Sequence, residues 1–111
     1  VGVHPRNLKF VFGTRMVFSL GWIALYLSEK PRSLKEKRRV VNSLKDKVKA
    51  RFNVSISEVD SQDLWHRSTL GIALVCSNRK QAQTISHRIV EFVREAKKVE
   101  IIDYDFMIEN H

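Results

Sequence analysis

Along this chain the hydrophobic period switches from two residues to the helical repeat and back, twice. That switching limits the fold more than any other feature. Val17 to Leu27 reads as a strand, with Ile23, Leu25 and Leu27 on one side and Trp22, Ala24 and Tyr26 on the other. A polar loop, Ser28 to Arg32, leads to Ser33-Leu-Lys-Glu36, which has the form of a capping box. Leu34, Val41, Leu44, Val48 and Phe52 then recur at helical spacing, and Asn53 is placed to end the helix. Val54 to Val59 and Arg67 to Ser77 return to strand alternation, separated by the polar loop Asp60 to His66. Asn78 is placed to cap a second helix running to about Lys98, with Ala82, Ile85, Ile89, Phe92 and Ala96 as its stripe. In the last strand, Glu100 to Glu109, Ile102, Tyr104, Phe106 and Ile108 alternate with Asp103, Asp105, Met107 and Glu109.

The order is β-α-β-β-α-β. Two right-handed βαβ-like halves give a four-stranded antiparallel sheet with two helices on one face, an α+β ferredoxin-like sandwich. Both helical stripes then need the same sheet face. The pattern predicts Leu34, Val41, Leu44, Val48, Ile85, Ile89 and Phe92 buried against Ile23, Leu25, Leu70, Ile72 and Tyr104. The other face is open and carries Trp22 and Tyr26, with Asp103, Asp105 and Met107 on an edge strand. Residues 16–111 form this single domain. Residues 1–15 do not fit its pattern and read as an N-terminal extension, a misassigned start or an expression remnant, with a short edge strand at Leu8 to Phe12. The 111 residues suffice for one core and not for two. No apolar run reaches a membrane span and no signal peptide is visible. The single cysteine, Cys76, excludes an internal disulfide, so a cytoplasmic location is expected.

The charge is local. Lys30, Arg32, Lys35, Lys37, Arg38, Arg39, Lys45, Lys47, Lys49 and Arg51 face only Glu36 and Asp46 within residues 30–51. That excess equals the formal net charge of the whole chain, +8, and the remainder is neutral. At about 100° per residue, Lys35, Arg38, Asn42, Lys45 and Lys49 fall in one strip beside the buried stripe, a ridge roughly 21 Å long. Arg39 lies farther out, near Glu36 and Asp46. Cations in a line match phosphates along a nucleic-acid backbone. The plainer alternative is a solvated helix whose lysines shield the edge of the core.

Other chemistries find less support. The strand from Arg67 offers no aromatic for stacking bases, so Trp22 and Tyr26 on the open face read as a candidate dimer face. Asp60, Asp63 and His66 gather in one loop, but such carboxylates ordinarily cap turns, and Trp65 is expected to plug the core edge. The four histidines share no ligand spacing, so neither a metal nor another cofactor is expected. Cys76 lies on a strand alternation and reads as inert core. The loop before the first helix has no glycine and makes no phosphate cradle of the acylphosphatase kind. No enzyme activity and no small-molecule substrate are therefore expected.

Ser33-Leu-Lys-Glu-Lys-Arg-Arg39, Arg51-Phe-Asn-Val-Ser55, Glu58-Val-Asp, Asp63-Leu-Trp65 and Thr69-Leu-Gly71 together resemble the YlxP-like family of small bacterial proteins. The resemblance runs from Met16 to about Glu109. It implies a ferredoxin-like fold, no established activity, and a link to translation or ribosomes. Two departures stand out: the segment before Met16, and a first loop that is slightly longer and lacks a Pro-Gly pair. Two expectations follow. One is an RNA-associated module, with RNA or a ribosomal subunit bound by Lys35, Arg38, Arg39, Asn42, Lys45 and Lys49. The other is a homodimeric interaction module that docks an acidic partner.

Overall fold

The computed structural model describes residues 16–111, so the extension and its strand at Leu8 to Phe12 lie outside the described residues. Strand β1 (Val17–Leu27) is followed by helix α1 (Leu34–Arg51), β2 (Ser55–Asp60), β3 (Arg67–Cys76), helix α2 (Arg79–Arg94) and β4 (Val99–Asn110). The four strands form one antiparallel sheet in the order β2-β3-β1-β4. This is the expected βαββαβ architecture. β1 is central because its register pairs Ile23 with Leu70 on one side and with Tyr104 on the other.

The core lies between the sheet and the helices. Ile23, Leu25, Leu70 and Ile72 of the sheet are sealed against Val41, Leu44 and Val48 of α1 and Ile89, Val90 and Val93 of α2. Leu34, Ile85 and Phe92, expected at full burial, are only half-buried. The buried face of α2 is Ala82, Ser86, Ile89, Val90 and Val93, about 60° round the helix from the expected stripe at about 100° per residue. This rotation seals Ile89, Val90 and Val93 in the core and brings Ser86 in with them, where a hydroxyl pair satisfies it. Ser86 donates to the Ala82 carbonyl, which uses its one proton, so the buried Ser19 Oγ donates to Ser86 at 2.8 Å.

Several boundaries move. Ser33 caps α1 as expected, its hydroxyl accepting from the Glu36 amide at 3.1 Å. The Glu36 carboxylate reaches back to the Arg32 amide, one residue beyond the usual capping box. Phe52, in extended conformation, ends α1 in place of Asn53. α2 stops at Arg94, four residues early, because the chain turns to bury Val99 and to let Lys98 O accept from Ser28 N at 3.1 Å. In β4 the register slips between Ala24 and Leu25 of its partner, and Ile102 falls in the bulge. Tyr104 faces the helix side opposite Ile23 yet is 44% exposed, because on this edge strand the helix cover has run out. Phe106 and Ile108 keep the expected side.

Candidate functional site

The ridge is positioned from beneath by a residue that reads as one more cation in the basic segment. Lys37 has no accessible surface. Its Nζ lies 2.9 Å from Glu58 Oε2 of β2 and donates to the carbonyls of Ser61 and Gln62. Ser68 of β3 donates to the same Glu58 oxygen at 2.7 Å. The ammonium thus has three oxygen partners, which is what makes a buried charge tolerable. Ser61 sits in left-handed backbone at φ 64°, and the Asp60 carboxylate accepts its amide at 2.7 Å. Lys37 therefore ties the middle of the sheet edge and the β2–β3 loop to α1. It lies on the same buried stripe as Val41, Leu44 and Val48, so its contacts and theirs require the same rotation of α1.

With Lys37, Val41, Leu44 and Val48 at the buried pole, helical geometry turns the strip at 35, 38, 42, 45 and 49 outward beside it. Lys35, Arg38, Asn42 and Lys49 are exposed and Lys45 is half-buried. Among the described residues, the ion pairs are Lys37–Glu58 and Arg94–Glu91. No carboxylate therefore lies within pairing distance of any ridge cation. Arg39 is exposed on the outer face of the helix, where it lines one depression with Asn42 and a second, toward α2, with Val40, Ser43 and Lys47. Five of the six expected residues thus share one strip, and Arg39 stands at its outer margin.

Residues 21–106 match the family described as protein of unknown function (DUF503). The chain belongs to this family. The matched span contains the whole of α1 and the Lys37–Glu58 pair. Over 68 residues the chain is 43% identical to the uncharacterized protein YlxP of Bacillus subtilis (strain 168), covering 61% of this chain and 74% of that protein. A de novo designed protein, Foldit4, superposes on 86% of this chain and 96% of its own at a TM-score of 0.48 and 13% identity.

The second surface of this DUF503 chain is the open sheet face. Cross-strand register places Phe18, Leu20, Trp22, Ala24 and Tyr26 there, beside Val75, Ala73, Gly71 and Thr69 of β3. Leu20, Trp22, Val75 and Met107 are exposed. Tyr26 is half-buried and stacks edge-to-face on His66 with centroids 6.1 Å apart. Asp103, Asp105 and Glu109 line the β4 margin of this face. β3 presents no aromatic on it, and the carboxylate margin repels phosphate.

The β2–β3 loop differs from expectation at two residues: the Asp60 carboxylate accepts the Ser61 amide, but the exposed Asp63 caps no amide among the described residues. Trp65 is 48% exposed and plugs nothing, because the Lys37 contacts already fix the loop from within. No group of three or more histidine, cysteine or acidic side chains is arranged to hold a metal among the described residues. Cys76 is half-buried at the end of β3 rather than in the core, and its thiol donates to the Asn78 carbonyl at 3.5 Å.

Proposed function

We propose that this DUF503 protein is a non-enzymatic, cytoplasmic RNA-associated module, linked to ribosomes or translation, that binds phosphates along α1. The observation that carries this reading is a strip with four cations and an amide, Lys35, Arg38, Asn42, Lys45 and Lys49, in which no carboxylate pairs with any cation. An exposed helix that served only solubility gains by mixing signs along its face, since opposite charges three or four residues apart stabilise it. This strip forgoes that gain, and its charge remains available to an external polyanion. No helix among the described residues is long and apolar enough to cross a membrane.

The test is the salt dependence of binding to single-stranded RNA. Affinity should fall linearly in log[salt] with a slope of about −0.7 per phosphate contact. Arg38→Ala with Lys45→Ala should flatten that slope by about 1.4. Arg79→Ala with Lys80→Ala, on α2, removes the same formal charge and should change it much less. Equal losses from both pairs would reduce the ridge to bulk charge. No detectable binding at about 50 mM salt would reject the reading. It would favour the second one, a homodimeric interaction module that docks an acidic partner, which rests on the exposed apolar residues Leu20, Trp22, Val75 and Met107.

A further inference from the structure

On the flank of α1 away from the ridge, a groove of about 550 Å³ runs between α1, the C-terminal end of α2 and the start of β4. Its floor is apolar: Val40 and Leu44 from α1, Phe92 and Ala96 from the α2 side, and Val99 from β4. Leu44 and Val99 are buried, while Val40, Phe92 and Ala96 keep part of their surface open to the groove. The rim is cationic. Arg39 and Lys47 stand on one side and Lys97 and Lys98 on the other, with Glu95 the one carboxylate that lines it. None of these charges is in an ion pair among the described residues.

We infer that this groove is a binding site for a monomeric anionic amphiphile, a medium-chain carboxylate whose chain lies on the floor and whose head sits among the rim cations. The volume is within the range of small-ligand sites and has their composition, a greasy lining with a few charged groups to fix orientation. From Arg39 to Lys47 the wall is roughly 12 Å long at about 1.5 Å per residue, the length of a chain of about eight to ten carbons. That is too short for a stable protein–protein interface on its own. An extended peptide is also a poor occupant. The α1 wall is mid-helix, its backbone groups are spent within the helix, and it offers a peptide main chain no partners. An alkyl chain asks for none. Four cations against one carboxylate select an anionic head over a neutral or cationic one.

The probe is decanoate below its micelle concentration, titrated into the full chain and followed by amide chemical shifts and calorimetry. Decanol, decyltrimethylammonium, vesicles containing phosphatidylglycerol, and a helical leucine–glutamate peptide serve as comparisons. Saturable decanoate binding is expected, with shifts centred on Val40, Ala96 and Val99. Decanol should bind at least about tenfold more weakly. Lys97→Glu with Lys98→Glu, both exposed, should weaken decanoate by at least about tenfold. Ser43→Trp, which sets an indole over the floor from an exposed position, should abolish binding. The charge-reversal pair keeps the test intact should the tryptophan variant fail to fold. Arg38→Ala with Lys45→Ala should leave decanoate affinity unchanged, which separates this site from the RNA ridge. Equal binding of decanol, indifference to the Lys97/Lys98 reversal, or binding confined to the vesicles or the peptide would each overturn the proposal.

Discussion

Lys37 shows how one residue can be misread when charge is counted without geometry. It stands four residues before Val41, seven before Leu44 and eleven before Val48, so it lies on the buried stripe of α1. Its ammonium meets Glu58, Ser61 and Gln62 rather than solvent. Lys37→Ala leaves the Glu58 carboxylate, only 15% exposed, without its counter-ion. It should cost about 3 kcal/mol in urea denaturation. Lys35→Ala, on the exposed ridge, should stay within about 0.5 kcal/mol. Gly21 is constrained from across the sheet in another way. It lies opposite Phe106, and an added Cβ would overlap the Phe106 ring. Gly21→Ala should cost about 1–3 kcal/mol through overpacking. Adding Phe106→Ala should cost less than the sum of the two single changes, because the second substitution removes the clash created by the first. Thermal or chemical melts of the three variants would measure that coupling.

At the scale of elements, caps and periods are local and were readable. Ser33 and Asn78 both cap helices, their side chains accepting from Glu36 N and Gln81 N. Helix ends and rotations were not readable, since long-range contacts decide them. α2 is turned about 60° from its apparent stripe, which buries Val90 and Val93 and sets Ser86 against Ser19, 67 residues away in sequence. The stripe of α1 is better marked, and Leu44, at 5% exposure, sits in it against the sheet. Leu44→Ala should cost about 2–5 kcal/mol in equilibrium unfolding. A loss under about 1 kcal/mol would mean that α1 packs differently.

The whole molecule separates its charge. The unpaired cations of α1 lie on the helical side, while the opposite sheet face is apolar with Asp103, Asp105 and Glu109 along one margin. The two functional readings therefore use different surfaces and answer to different substitutions. If the sheet face joins two copies, the wild type should sediment as a dimer. Trp22→Glu should then sediment as a monomer, with its melting temperature preserved and its RNA salt slope unchanged. Trp22 is 37% exposed and opposes Gly71 on β3, so a carboxylate there reaches solvent in the monomer and disrupts only a covered face.

Element order, the capped starts of both helices, the two-sidedness of the sheet and the line of cations on α1 are all legible in local stretches of the chain. Each of these depends on neighbours within a few turns of chain, where period and capping chemistry are legible. The burial of Lys37, the reach of Arg39 toward α2, the exposure of Tyr104 and Trp65, and the cation-rimmed groove between the helices belong to the tertiary structure. Those outcomes depend on which distant residue arrives opposite: Glu58 across from Lys37, Phe106 over Gly21, Ser19 against Ser86. A buried charge or hydroxyl is tolerated only where its partner is delivered by another element. That delivery is a property of the fold and not of any local stretch of sequence.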